Sequence, residues 1–139
     1  MNNNITEKDF EEVLINFHHK LIEVLKKEAG SLNCTISQLE VIRYVVEKED
    51  PTMKDIALHL KLKPPSVTVI IEFLQANNFI KREFDKEDRR IVRIKATTKS
   101  KKLFASMKDK KLLALKNMFI KLEEKDKKEL IRIMSNLTK

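Results

Sequence analysis

The sequence predicts a mainly α-helical fold that carries one small β-hairpin. Three local patterns predict this class. Threonine caps precede apolar residues at helical spacing, the pair Pro64-Pro65 opens a central helix, and Ile91–Ala96 alternates apolar and basic residues as a strand does. The predicted order is a long helix, three short helices, the hairpin, a second long helix and a short final helix.

Composition limits the classes of function open to the chain. It has 139 residues, enough to bury a core, and a single glycine. Because a phosphate-cradling loop needs several glycines for close approach of the backbone, the composition argues against nucleotide-dependent enzymes of that type. No paired carboxylates, activated nucleophile or metal-ligand cluster occurs at a usable spacing. We therefore predict a protein that is not an enzyme and has no cofactor and no metal; cofactor-binding residues stay unknown.

Charge and hydropathy predict the partner and the compartment. The formal net charge of +8 favours a polyanionic partner, and charge alone does not separate nucleic acid from a membrane surface or from a role in solubility. No stretch is long and apolar enough to span a bilayer, and the first ten residues contain no secretory apolar region, so we predict a cytoplasmic protein without a membrane partner. Cys34 is predicted to pack as a small hydrophobic residue, because the sequence shows no positive charge near it. His59 is predicted to be solvated or to cap its helix.

The first two helices are predicted from their ends. Thr6, with Asp9 three residues later, resembles a capping box and opens a helix with one apolar stripe over about five turns. We expect this helix to end near Gly30, which can adopt a left-handed C-cap without steric cost. A second capping signature, Thr35 with Gln38, opens the next helix.

A helix-turn-helix is predicted to follow. Thr52 with Asp55 opens a short third helix, and Lys61–Lys63 has the length of a connection that joins two helices at a steep angle. The two prolines then occupy the first turn of the fourth helix, where their missing N–H groups cost nothing. Apolar spacing turns one face of this helix inward and leaves four residues outward: Ser66, Thr68, Val69 and Glu72. Asn77-Asn78 ends it, since asparagine tolerates the left-handed conformation.

The hairpin is predicted from strands Phe79–Phe84 and Ile91–Ala96, which flank a charged tip, Asp85–Arg90. Thr97 can cap the second long helix. A charged break, Glu123–Lys128, is expected to separate that helix from the last one.

The outward face of the fourth helix is suited to contact with DNA. Ser66 and Thr68 can donate or accept hydrogen bonds at base edges, and Val69 can contact a thymine methyl group. Lys63 stands at the helix start, where its charge and free backbone N–H groups can meet a phosphate.

The hairpin tip is predicted to reach the neighbouring minor groove. A narrow minor groove concentrates negative potential, and the guanidinium groups of Arg89 and Arg90 are the side chains best suited to enter it. Asp88 can pair with one of these arginines and hold the shape of the tip.

A protein-interaction module is the alternative prediction. Winged helices also dock protein partners, and a basic hairpin can be a solvated edge strand protected by its charge. The weakly charged fourth helix, which carries Val69 and Phe73 near its exposed face, favours this alternative.

Three stretches carry recognisable motifs. Thr35–Ile42 reads TISQLEVI at the start of the second helix, and Thr52–Leu74 reads TMKDIALHLKLKPPSVTVIIEFL across the helix-turn-helix. Asp88–Thr97 reads DRRIVRIKAT, which follows the wing signature D-x-R-x-x-x-V-x-L-T. In these motifs and in the order of its elements the chain resembles the MarR family of bacterial transcriptional regulators.

The resemblance implies one MarR-like domain, 1–139, in which a helical dimerisation lobe, 1–32 and 98–139, flanks a winged helix-turn-helix DNA-binding lobe, 33–97. It implies a homodimer that binds double-stranded DNA at a pseudo-palindromic operator, as a repressor or an activator, and is released by an unidentified small-molecule effector. The family's wing arginine falls on Arg90 and its acidic partner on Asp88. The predicted contact residues are Lys63, Pro65, Ser66, Thr68, Val69 and Glu72 on the recognition helix and Lys86, Asp88, Arg89 and Arg90 on the wing.

The chain departs from the family pattern at several positions. Val69 stands where the family often has an arginine, so the recognition helix has little positive charge. Three of the family's glycines are replaced by Lys61, Asn78 and Ser100. Asn78 can replace glycine conformationally, whereas Lys61 does so less easily. The fold is compatible with these changes, but the family's operator sequences do not carry over.

Overall fold

Six helices and a two-stranded antiparallel sheet form the described part of the chain. The computed structural model describes residues 4–139, so residues 1–3 of the predicted lobe 1–32 lie outside it. The elements are α1 (Glu7–Ser31), α2 (Ile36–Glu47), α3 (Met53–Leu60), α4 (Pro64–Ala76), β1 (Ile80–Phe84), β2 (Val92–Ala96), α5 (Thr98–Ile120) and α6 (Glu124–Leu137). The predicted fold class and element order are confirmed.

The chain divides into two structural units. One, called here the helical unit, comprises the described residues up to Val24 together with Asp109–Lys139. The other, the winged-helix unit, is Leu25–Lys108. The winged-helix unit therefore includes the last turns of α1 and the first part of α5 besides residues 33–97.

Threonine caps begin several helices, as the sequence predicts. The Thr35 hydroxyl accepts the N–H of Gln38, whose side chain accepts the N–H of Thr35, and Thr52 forms the same reciprocal pair with Asp55. The Thr97 hydroxyl accepts the N–H of Ser100 at 3.3 Å in the first turn of α5. Each cap satisfies backbone donors that the helix itself leaves without a partner, and this fixes where the helix begins.

The core lies in the winged-helix unit. Its buried hydrophobic residues are Ala29, Cys34, Leu39, Val41, Ile42, Val45, Ile56, Val67, Ile71, Leu74, Phe79, Ile80, Ile94 and Met107. Ser100 is also buried, and its hydroxyl donates to the Phe79 carbonyl. The hydroxyl of Thr97 donates to the Asn78 carbonyl at 2.7 Å. These two bonds attach the start of α5 to the segment that leads into the hairpin.

α1 ends near Gly30, as predicted, but the expectation that Gly30 is its left-handed cap is wrong. The helix continues to Ser31, and Asn33 takes the left-handed conformation with φ 57°. The N–H of Cys34 donates to the Ala29 carbonyl at 2.9 Å, which closes the helix end. Asn33 can serve because asparagine reaches this region at low cost and a helix end needs only one left-handed residue. Lys61 and Asn78, two of the positions where the family has glycine, are also left-handed, with φ 54° and 61°.

Gly30→Ala is expected to stabilise the protein. Gly30 is the penultimate residue of α1, and a Cβ added there meets no atom within 4 Å. Because alanine loses less backbone entropy in a helix, we expect the free energy of unfolding to rise by about 0.5 kcal/mol. Denaturant titration measures it. Asn33→Ala is the control and is expected to lower the free energy of unfolding, because alanine adopts φ 57° less readily than asparagine does. Destabilisation by Gly30→Ala would contradict this account.

The prediction of a charged break at Glu123–Lys128 is also wrong, because most of these residues are helical. α6 already begins at Glu124, and only a short turn after Ile120 separates it from α5. Glu124 and Asp126 lie in the first turn of α6. Acidic side chains there are favourable because the N-terminal end of a helix carries partial positive charge.

The sheet is one hairpin. Ile80 pairs with Ala96 and Phe84 with Val92, so each strand is one residue shorter at its start than the sequence predicts. Ile94 is fully buried, and Val92 and Ala96 pack against the core, so the predicted alternation of β2 is confirmed.

The helical unit has a different surface from the winged-helix unit. None of its described residues is buried. Its exposed large apolar side chains are Ile5, Phe10, Val13, Leu14, Ile15, Phe17, Leu112, Leu113, Ile120, Leu130, Ile131, Ile133, Met134 and Leu137. An apolar groove of about 890 Å³ lies among α1, α5 and α6 in this unit and is lined in part by Phe17, Phe119 and Met134.

Candidate nucleic-acid interface

Helix α4, the predicted recognition helix, is held by its apolar face. Val67, Ile71 and Leu74 are buried, at 0–1% exposure, which turns the opposite face of the helix to solvent. All but one of the predicted contact residues on that face are exposed. The exposed ones are Lys63, Pro65, Ser66, Val69 and Glu72. The helix therefore presents small polar and apolar side chains, and Glu72 and Lys63 are the charged groups among these predicted residues.

Thr68 is the exception among the predicted contact residues. It is half-buried rather than outward, and its hydroxyl donates to the Pro64 carbonyl at 3.1 Å. A threonine inside a helix can satisfy its hydroxyl proton in this way, one turn back along its own helix. The oxygen retains acceptor capacity, so Thr68 can accept a hydrogen bond but does not offer a free donor.

The start of α4 offers a charge but few backbone donors, which corrects another expectation. Pro64 and Pro65 have no N–H group. The N–H groups of Ser66 and Val67 already donate to the Lys63 carbonyl at 3.0 and 3.3 Å. An anion at this helix start would therefore be held by the exposed Lys63 ammonium rather than by several N–H groups.

The wing tip is held by two aspartates. The Asp85 carboxylate accepts the N–H groups of Glu87 and Asp88 at 2.9 and 3.0 Å, which folds the tip back on itself. Asp88 accepts two hydrogen bonds from the Arg90 guanidinium, both at 3.0 Å, as well as the Arg90 N–H. The hydrogen bonds from Arg90 lower the pKa of the Asp88 carboxyl, so this carboxylate stays ionised at neutral pH. Asp88 thus orients Arg90, whose side chain is 90% exposed.

Lys86 and Arg89 are exposed at the same tip. The structure brings all four predicted wing residues together within one turn of six residues, Asp85–Arg90. Three cationic side chains therefore lie close together where β1 turns back into β2.

Sequence reasoning missed the role of Arg93. It lies on β2, where it was recognised only as one of the alternating basic residues. Its Nε donates to Asp85 Oδ2 at 2.8 Å, and this bond is the largest cause of the lowered pKa of the Asp85 carboxyl. The hairpin register could have indicated the pair, because Glu83 lies opposite Arg93 and Asp85 is therefore a diagonal neighbour.

One expectation about an isolated side chain needs correction. A positive charge does act on Cys34, that of Lys99, but burial outweighs it and raises the pKa of the thiol. Cys34 is buried, as predicted. His59 is exposed, as predicted; its ring also stacks on Tyr44 with centroids 4.1 Å apart, and its Nε2 lies 3.1 Å from Glu40 Oε1.

An apolar cleft of about 660 Å³ lies between α3 and α4. Met53, Ala57, Leu58 and Val67 contribute to its lining, as do Lys54 and Lys61. Leu58 is 68% exposed there.

Neither a candidate metal site nor a membrane-spanning helix occurs in residues 4–139. No group of three or more His, Cys, Asp or Glu side chains in that range is placed to hold a metal ion. Nor does that part of the chain contain a helix of the length and apolarity needed to cross a bilayer.

Comparison with known proteins agrees with this geometry. Residues 34–92 match the model of the MarR family. MepR of Staphylococcus aureus, described as a transcription regulator of the multidrug efflux pump MepA, superposes with a TM-score of 0.80 at 18% identity, over 96% of this chain and 97% of that chain. Tm0710 of Thermotoga maritima, described as a transcriptional regulator, gives 0.81 at 15% identity, over 95% and 93%. FabT of Streptococcus pneumoniae in complex with DNA gives 0.75 at 17% identity, over 96% and 95%. No curated protein matches the sequence significantly.

The helix-turn-helix, the wing and these matches define the class of fold: a winged helix-turn-helix accompanied by further helices. The predicted resemblance to the MarR family is confirmed over residues 34–92.

Proposed function

We propose that the protein binds a pseudo-palindromic DNA operator as a homodimer, with α4 in the major groove and the wing tip in the adjacent minor groove. The observation that carries this proposal is the pairing of two different surfaces in one unit. α4 exposes Ser66 and Val69, which suit base edges, and the wing presents Arg90, which Asp88 orients. We infer that the wing supplies most of the affinity, because Lys63 is the only cation among the predicted contact residues of α4.

The homodimer is supported by the surface of the helical unit. Leu130, Ile133, Met134 and Leu137 follow one another at helical spacing on α6, and each is at least 37% exposed. A contiguous exposed apolar surface of this kind is typical of an interface. A second copy of the chain is the partner that would also give two recognition helices, about one turn of DNA apart, as a pseudo-palindrome requires.

Control by a small molecule belongs to the same proposal. It rests on the resemblance to the MarR family and not on a ligand site in this chain. An effector that binds the DNA-free conformation more tightly would release the operator by mass action.

Selection of bound duplexes from genomic fragments, together with the molar mass in solution, tests the proposal. We expect an enriched sequence with two related half-sites about 10 base pairs apart from centre to centre, and a mass of twice the chain. Affinity that is equal for all duplexes would contradict sequence-specific binding. An enriched site that lacks symmetry would contradict the two-fold arrangement.

Arg90→Ala is expected to weaken binding to the selected duplex by about tenfold, and to reduce the slope of log affinity against log salt by about 1 per chain, because one cation is lost from the DNA contact. Titrations of the duplex at several salt concentrations measure both. Arg132→Ala is the matched control: Arg132 is an exposed arginine of α6 that makes a similar two-bond contact, with Glu129. If the two variants bind alike, the wing role assigned to Arg90 is wrong.

Docking of a protein partner is the second candidate function. The specific observation in its favour is the apolar cleft between α3 and α4 with exposed Leu58, beside a recognition helix of low charge. Failure of the selection to enrich any duplex, with a defined partner that competes at this cleft and loses affinity on Leu58→Ser, would favour it.

A further inference from the structure

Arg93 joins two segments that are far apart in the sequence. Besides its bond to Asp85 at 2.8 Å, its Nη1 donates to the backbone carbonyl of Asp50 at 3.2 Å. Asp85 begins the wing tip, and Asp50 lies in the connection between α2 and α3. One guanidinium therefore ties the wing tip to the segment that leads into the helix-turn-helix.

The Asp50 end of this link is held independently of the Arg93 side chain. Asp50 is left-handed, with φ 49°, and the next residue is Pro51, whose ring restricts the backbone. The Pro51 carbonyl accepts the N–H of Ile94 at 2.9 Å, and Thr52 forms a single bridge with the backbone of Arg93. The carbonyl that Arg93 contacts is therefore a fixed point of the winged-helix unit.

At the other end of the link, hydrogen bonds connect Asp85 to Arg90 through Asp88. Oδ2 of Asp85 accepts a hydrogen bond from Nε of Arg93, and Oδ1 accepts the N–H of Asp88. Asp88 in turn orients the guanidinium of Arg90. A displacement of the Asp85 carboxylate would therefore be transmitted along the tip to the exposed arginine.

We propose that Arg93 is a positioning residue for DNA binding: it holds the wing tip in the conformation that presents Arg90, without contacting DNA itself. The inference rests on the proposed function. The side chain of Arg93 is 35% exposed, against 90% for Arg90, and both of its described bonds are internal. Arginine suits this role because its planar group carries separate donors for a carboxylate and a carbonyl, whereas the single ammonium of lysine cannot span both in the same way.

A double-mutant cycle with Arg90 separates positioning from direct contact. Alone, Arg93→Ala is expected to weaken duplex binding by about tenfold, as coupled residues of one network do. In the Arg90→Ala background the same change is expected to cost less than about twofold, because the group that Arg93 positions is absent. Equal losses in both backgrounds, or no loss in the wild-type background, would overturn the proposal.

Two variants act as controls. Asp50→Asn keeps the carbonyl that Arg93 contacts and a residue type that tolerates φ 49°, but removes the carboxylate that lies 3.6 Å from Lys95 Nζ. We expect it to bind DNA like the wild type. Arg93→Lys keeps the charge but is expected to bind nearer to the alanine variant. Full recovery by lysine would show that charge alone is needed and would overturn the argument from the guanidinium.

A readout without DNA distinguishes this inference from the proposed function. Amide hydrogen exchange at Glu87 and Asp88, whose N–H groups donate to Asp85, is measured in the DNA-free protein. Arg93→Ala is expected to accelerate exchange at these two amides by about tenfold, with buried amides of α4 unchanged. Unchanged exchange at the tip, or equal acceleration throughout α4, would overturn the positioning role. If exchange changes as expected while the wild type binds no duplex, the proposed function is wrong, but Arg93 still holds the conformation of the wing tip.

Discussion

Met134→Asp is expected to convert the proposed dimer into monomers. Met134 is 51% exposed and belongs to the apolar stripe of α6, so a single chain can hold a carboxylate there in contact with water. In a two-fold dimer that pairs these stripes, both copies of the carboxylate would be buried without a partner. Desolvation of a buried charge costs several kcal/mol, so we expect the dimer dissociation constant to rise by about 100-fold or more.

Sedimentation velocity over a range of concentrations measures this change, against a chain mass of 16.4 kDa. Ser135→Asp is the matched control, since Ser135 is the next residue of α6, is exposed and does not belong to the apolar stripe. It places the same charge near the same helix end. A Met134→Asp protein that remains dimeric would show that α6 does not form the interface through this face.

The monomeric variant should also lose operator affinity. Each recognition helix would then bind its half-site alone, without the gain that comes from linking two contacts in one molecule. We expect the Ser135→Asp control to retain the affinity of the wild type.

Ile71→Ala is expected to lower the free energy of unfolding by about 3 kcal/mol. Ile71 is fully buried on the inward face of α4, so truncation removes apolar contacts and leaves a cavity in a close-packed core. The loss is a large share of the stability of a small domain, and the recognition helix is the element that loses support.

Val69→Ala is the matched substitution on the opposite face of the same helix. Val69 is 66% exposed, so its truncation is expected to change stability by less than about 0.5 kcal/mol. It should instead reduce the preference for thymine at one position of the operator, because the proposed contact is with a methyl group. Denaturant titration and competition between duplexes measure the two effects. Equal destabilisation by both variants would contradict the assigned faces of α4.

The ends of most helices could be predicted from the sequence because caps are local. Thr35 and Thr52 stand three residues before the side chains that complete their capping boxes, so the whole interaction lies within four residues. The inward face of α4 was predictable for a similar reason, since helical spacing alone sets which side chains share a face. The wing was recognisable from alternation and from its motif.

The failures have a common cause in competition between local signals. Gly30 was the obvious cap by conformational freedom, but α1 runs past it to a left-handed Asn33. The charges from Glu123 to Lys128 suggested an interruption, although acidic residues are equally suited to the first turn of a helix. Composition alone could not rank such alternatives, because the free-energy differences between them are small and are decided by neighbouring contacts.

The sequence by itself determined the fold class, the register of the helical faces and the position of the charged tip, since each depends on residues a few positions apart. The tertiary structure decided which charges work together. Arg93 meets the carbonyl of Asp50, 43 residues away, and the carboxylate of Asp85 across the hairpin. Such contacts depend on the path of the whole chain, and a pattern of neighbouring residues does not contain that path. The charged tip that presents Arg90 can therefore be recognised from the sequence. The hydrogen bonds of Arg93 that hold the tip in place can be recognised only in the folded protein.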